Sequence, residues 1–246
     1  MPNQLIITKE NKEKITKNKS QVVNIYKERE IKEYSKKYKS INIISNENYK
    51  VTTDNFGNSL SEYKELMVNR YKDTLELNQG INSYIRNMKN KKIIKIEENA
   101  KVIFAPDKTK FIKNENNLKY EETVFLDPNK DIEIRRLEIF NLGNQEEILE
   151  VIIDFEPSLS NKMQDYAHPA FNKLFVKFTE DKDNIIFEKR DREGLRNCYL
   201  ATTLYTESEQ VVKFEYEINR ENYIGRENYG IPVMVREQKN FSSWDS

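Results

Sequence analysis

One cysteine and one histidine limit what this 246-residue chain can do. A single thiol, Cys198, forms no internal disulfide and supplies no cysteine-rich zinc site. It stands in the apolar run Cys198-Tyr199-Leu200-Ala201, where a free cysteine packs as a small hydrophobe. A lone thiol fits a reducing compartment. With His168 as the one imidazole, no histidine-pair metal motif exists. A Ser-His-Asp triad would have to use His168, and no serine motif supports it. The G-x-x-x-x-G-K phosphate loop, the G-x-G-x-x-G dinucleotide fingerprint and the G-x-S-x-G nucleophile elbow are all missing. Neither a cofactor nor a bound metal is expected. Asp and Glu are plentiful, so paired carboxylates remain open, but their separation is not readable from sequence.

Charge of one sign is also lacking. Lys and Arg number 41, and Asp and Glu number 41. No global field draws the chain to nucleic acid or to an anionic membrane. Long hydrophobic runs are absent: Met1-Pro2-Asn3-Gln4-Leu5 gives way to charge within a few residues. Nothing resembles a signal peptide or a bilayer span. The expectation is a cytoplasmic chain with no nucleic-acid or membrane partner.

What is present is a charged, hydrophilic surface, with 33% charged residues and a mean hydropathy of -0.85. The length allows one large β-sandwich or two small domains. Residues 8–39 are a mixed-charge run that reads as a solvated helix or a disordered lead-in. Glu30 and Glu33 precede Lys36 and Lys37 at helical pair spacing. Residues 1–40 are therefore expected to be an arm, and residues 41–246 the folded domain.

Beyond residue 40, short apolar alternations take over. Leu149, Val151, Ile153 and Phe155 predict one half-buried strand. Leu174, Val176 and Phe178 predict another, and Val212, Phe214, Tyr216 and Ile218 a third. Further strands are expected at 50–53, 83–86, 101–104, 118–126, 185–189 and 199–205. Between Ile132 and Phe140 the apolar phase slips, which predicts a β-bulge at Arg135-Arg136. Turn residues such as Asn55-Phe56-Gly57-Asn58 and Asp127-Pro128-Asn129 punctuate the strands. This spacing predicts a mostly β, antiparallel sandwich with no long helix after residue 40.

The most telling stretch is Asp165-Tyr166-Ala167-His168-Pro169-Ala170-Phe171, followed by Asn172-Lys173-Leu174-Phe175-Val176. Pro169 pushes His168 out of the helical region. Tyr166 and Phe171 can offer ring faces, and His168 a polar tip, to a sugar. The same rings can equally pin the loop to the core.

This stretch resembles the A-H-P-A-F-x-x-L-F segment of the β-sandwich domain in glycoside hydrolase family 94, formerly glycosyltransferase family 36. Four more segments match in order. Gly57-Asn58-Ser59-Leu60-Ser61-Glu62-Tyr63-Lys64, with Val68-Asn69-Arg70-Tyr71, resembles G-x-G-x-S-x-Y-K and V-N-R-[WY]. Tyr84-Ile85-Arg86 resembles Y-I-R-D, with Asn87 in place of the aspartate. Glu133-Ile134-Arg135-Arg136 with Asn141-Leu142-Gly143 resembles E-x-R-R…N-x-G. Ile224-Gly225-Arg226 resembles F-[IL]-G-R. The family's second loop glycine is Ser59 here. The resemblance spans 45–232 and is strongest to the cyclic-glucan-synthase branch.

The resemblance implies a supersandwich of the galactose-mutarotase type that binds a β-glucan or oligosaccharide. Family members continue into an (α/α)-barrel that carries the general acid, whereas this sequence runs to Trp244-Asp245-Ser246. The expectation is a non-catalytic domain that works beside a barrel, on a separate chain or in a homodimer. Tyr63, Arg70, Tyr166, His168, Phe171 and Arg226 are the candidate sugar-binding or barrel-docking residues, and Trp244 is expected to pack against the barrel. The alternative is a free-standing sugar-active enzyme that uses His168 and a carboxylate for acid–base work.

Overall fold

The computed structural model describes residues 27–31, 38–71, 80–181, 184–190, 197–207, 215–225 and 231–237. These residues form antiparallel strands in four sheets. The first sheet has the order β1-β8-β9-β10-β11. It comprises β1 (Arg29–Ile31), β8 (Lys101–Phe104), β9 (Lys108–Glu115), β10 (Leu118–Leu126) and β11 (Glu133–Asn141). The second has the order β13-β5-β4-β3-β2. It comprises β2 (Ile41–Ser45), β3 (Tyr49–Asp54), β4 (Ser59–Tyr63), β5 (Leu66–Asn69) and β13 (Pro157–Asn161). The third, β12-β6-β7, joins β6 (Asn82–Asn87), β7 (Ile93–Lys95) and β12 (Leu149–Asp154). The fourth is a meander of β14 (Val176–Asp181), β15 (Asn184–Lys189) and β16 (Cys198–Thr203). Helices are short: α1 (Lys162–Ala167), α2 (Pro169–Lys173), α3 (Arg220–Ile224) and α4 (Val233–Glu237).

The first three sheets share one core. Val51, Val68, Ile85, Ile96, Val102, Phe111, Tyr120 and Val124 meet there, all buried. Apolar alternation drives this: every second side chain of a strand points to the same face, and burying that face removes it from water. β6 is buried on both faces. Ile85 points into the main core, whereas Tyr84 points into a smaller cluster with Ile152, Val235 and Tyr223. Arg86 ties α4 down by donating to the carbonyls of Met234 and Val235 at 3.2 and 3.4 Å.

Three sequence expectations change. The pairing of β10 with β11 runs without a break from Leu118↔Asn141 to Leu126↔Glu133, so Arg135-Arg136 is no bulge. The phase slips because the inward positions at the start of β11 are polar, Glu133 and Arg135, while Ile134 faces out. On β12 the expected inward face is reversed. Val151 and Ile153 are exposed, and Ile152 is buried under Tyr84. β12 is an edge strand: Leu149, on that face, still packs against the main core, whereas Val151 and Ile153 are open to solvent. Of the alternation Val212 to Ile218, Tyr216 and Ile218 lie outside any strand, and Val212 and Phe214 fall outside the described residues.

In the charged lead-in, Arg29–Ile31 forms an edge strand paired with β8. Glu33, Lys36 and Lys37 lie outside the described residues. Among the described residues no helix is long and apolar enough to cross a membrane.

Candidate functional site

The stretch singled out in the sequence folds into the corner between α1 and α2. Asn161 caps α1 by accepting the Gln164 N–H at 2.8 Å. The helix ends at His168, which takes φ −141° and ψ 64°, outside the helical region as a following proline requires. Pro169 then opens α2 at the position where its missing N–H costs nothing. The Asn172 side chain donates to the Gln164 carbonyl at 2.6 Å and holds the two helices at a fixed angle. Inside that angle lies a depression of about 280 Å³ lined by Met163, Gln164, Ala167, His168 and Asn172. That lies just below the usual range for ligand pockets, about 300–1,000 Å³. Met163 in its lining is exposed, and so are Tyr166, Phe171 and Leu174 elsewhere on the two helices and the residue that follows them. Phe171 is steadied edge-on by Phe175, with ring centroids 4.9 Å apart.

Arg70 holds this corner to the sheets. It follows β5, and its guanidinium reaches Asp165 of α1 through two hydrogen bonds of 2.8 and 2.5 Å. It also pairs with Glu156 and donates to the Pro169 carbonyl at 3.3 Å. Asp165 is fully buried. Burial alone would raise its pKa, but the Arg70 hydrogen bonds and charge outweigh that and hold the carboxyl below its ordinary value. Lys173 of α2 also pairs with Glu156. Both carboxylates beside the corner are thus engaged by cations.

A second polar cluster lies in the core, where the first three sheets meet. Arg135 is its hub. It donates to Glu133 at 2.8 Å and to the Ser59 hydroxyl at 3.0 Å, and it lies 3.7 Å from Glu122. Ser61 donates to Glu133 at 2.6 Å, and the Tyr49 hydroxyl does so at 3.2 Å. Ser83 bridges two carboxylates: its N–H donates to Glu97 at 2.9 Å and its hydroxyl to Glu122 at 2.9 Å. Asn69 ties β5 to β4 through the Ser61 N–H and the Ser59 carbonyl. The β3–β4 turn closes over Glu97. At Gly57, with φ +87°, a Cβ would stand 2.1 Å from the Glu97 Cβ, so only glycine fits. Burial first, and the charge of Glu122 second, raise the pKa of Glu97.

Residues 25–244 match the family described as glycosyl hydrolase 94, supersandwich domain. The chain belongs to this family. A stretch of 74 residues is 32% identical to the cyclic beta-(1,2)-glucan synthase NdvB of Rhizobium meliloti (strain 1021). That match covers 30% of this chain and 3% of the synthase, so the chain spans a small fraction of that relative's length.

The supersandwich brings four of the six candidate residues together. Arg70, Tyr166, His168 and Phe171 all belong to the α1–α2 corner. Arg70 acts there as its anchor, with nearly all of its side chain buried. Tyr63 ends β4, half-buried, with the Lys64 ammonium 5.2 Å from its ring centre. It pairs with Leu66, which also pairs with Asn161 at the start of the corner. Arg226 and Trp244 lie outside the described residues.

Sequence reasoning missed the core carboxylates Glu97 and Glu122. A signal for one was present. Leu118, Tyr120, Val124 and Leu126 alternate along β10, and Glu122 occupies the middle of that apolar series, 1% exposed. Three of the supersandwich segments seen in the sequence, around Ser59, Tyr84 and Arg135, converge on this cluster. Ser59 uses its hydroxyl to accept from both the Ile81 N–H and Arg135.

Proposed function

We propose that this supersandwich is a carbohydrate-binding, non-catalytic domain that presents its α1–α2 corner to a β-glucan chain, in the cytoplasm, while an (α/α)-barrel domain supplies the chemistry. One observation carries the reading: a corner that Arg70 ties to the sheets exposes the rings of Tyr166 and Phe171 and holds a depression lined by Met163 and His168. Ring faces pack on the apolar faces of pyranoses, and an imidazole and amides suit hydroxyls. The neighbouring carboxylates Asp165 and Glu156 are held in ion pairs, which favours binding over acid–base work at this corner. The family match and the stretch shared with a glucan synthase support β-glucan as the ligand class. The same exposed corner is the surface offered to the barrel, on another chain or across a homodimer.

Calorimetric titration with a panel of β-linked gluco-oligosaccharides, with and without phosphate, tests this. Heat without product formation is expected. The Tyr166→Ala/Phe171→Ala double variant should weaken association by about 10-fold or more, as loss of two aromatic contacts of about 0.5–1.5 kcal/mol each would do. Equal affinity in the double variant would move the site elsewhere.

A further inference from the structure

The core cluster contains an unsatisfied pair. Glu97 and Glu122 are each 1% exposed. Each has one oxygen bound to Ser83, and the other, Oε2, has no hydrogen-bond partner among the described residues. A buried carboxylate oxygen left unpaired is costly, so native interiors rarely keep one, let alone two on one residue's flanks. Arg135 pairs with Glu133 and stands near Glu122, while the charges of Lys95 and Lys113 also act on Glu97.

We propose that Glu97 and Glu122 form a buried proton-binding site, in which the pair carries one proton while the protein is folded at neutral pH. Arg135 stands 3.7 Å from Glu122, and the proton is placed on Glu97. The other charged groups nearby are accounted for. Lys113 of β9 donates to the carbonyls of Lys95 and Glu98 at 2.8 and 2.7 Å, and its charge interacts with Glu115, Glu98 and Glu97. Asp54, in the turn over Glu97, accepts from Phe56 and Asn58 of its own turn and faces Lys39. Tyr49 and Tyr84 are buried phenols whose pKa values are raised, first by burial, so they stay neutral. Burial and the Glu122 charge push Glu97 up to about 8. The folded state then holds a proton that the unfolded chain has released. The resulting stabilisation is complete below the ordinary carboxylate range and is lost as pH rises toward about 8. Because the cluster joins three sheets, the proton acts on the whole sandwich.

Infrared spectroscopy of the full chain reads the proton directly. A protonated-carboxyl stretch is expected at neutral pH, with a component that vanishes in alkali and is missing from Glu97→Gln. In parallel, the wild-type denaturant midpoint should fall between about pH 5 and about pH 8, and Glu97→Gln, neutral at every pH, should flatten that fall. Should Glu97→Gln fail to fold, Glu122→Gln serves instead, since removing the neighbouring charge must move the loss of the Glu97 component to lower pH. No Glu97-dependent component at neutral pH, or an unchanged slope in Glu97→Gln, overturns the proposal.

Discussion

Arg70 grips Asp165, which is fully buried, and Glu156, which is partly exposed. A guanidinium does this where an ammonium does not, because its planar fork meets both carboxylate oxygens at once. Arg70→Ala would strand the Asp165 carboxylate without its main partner. Breaking a buried pair from one side costs about 3–5 kcal/mol. Arg70→Lys keeps the charge and loses the fork, so a loss about half as large is expected. Urea unfolding of the two variants checks the order. If both match wild type, the corner is held by its apolar contacts instead. The Asp-Tyr-Ala-His-Pro run was legible as a special segment because a lone histidine before a proline has few ordinary uses. That Arg70 would be its anchor was not legible, since 95 residues separate it from Asp165.

At the scale of elements, alternation located strands better than it assigned faces. β3, β6, β8, β10, β15 and β16 all stand where sequence alternation or apolar runs placed them. β12 stands there too, but with Ile152 inside and Val151 outside. Apolar side chains on both faces left the choice to neighbours. Tyr223 of α3 and Val235 of α4 pack on one side of the third sheet, whereas on the other Val151 and Ile153 are exposed. Ile152→Ala should therefore cost about 2–4 kcal/mol by opening a cavity under Tyr84. Val151→Thr should stay within about 0.5 kcal/mol. Equal losses in the two variants, measured by denaturant unfolding, would restore the face expected from the sequence. The expected bulge on β11 failed for a related reason. A period of two was sought in apolar residues alone, whereas the inward row there begins with Glu133 and Arg135.

For the whole molecule, two groups of carboxyls oppose each other across pH. Asp165 and Glu62 are held below their ordinary values. In each case burial works upward but is outweighed, by Arg70 for Asp165 and by Lys162 and Lys50 for Glu62. Their stabilisation is present above the ordinary carboxylate range and is lost as pH falls through their lowered values. Glu97 and Asp154 are raised, chiefly by burial, and theirs is lost as pH rises. Stability is therefore expected to peak on the mildly acid side of neutrality, at about pH 5. Asp165→Asn should start less stable at neutral pH and lose less on acidification. A wild-type maximum above about pH 8 in denaturant midpoints would contradict this balance.

The sequence by itself determined the class of fold, the family and the segment that forms the exposed corner. Those properties live in local patterns: alternation, turn chemistry and short runs in a fixed order. Tertiary structure alone decided which face of β12 is buried, what Arg70 holds, and that Glu97 and Glu122 share one residue in the core. Each of these depends on groups far apart in the chain. A carboxylate reads as surface in sequence and becomes a core residue only when folding brings a guanidinium and a serine to meet it.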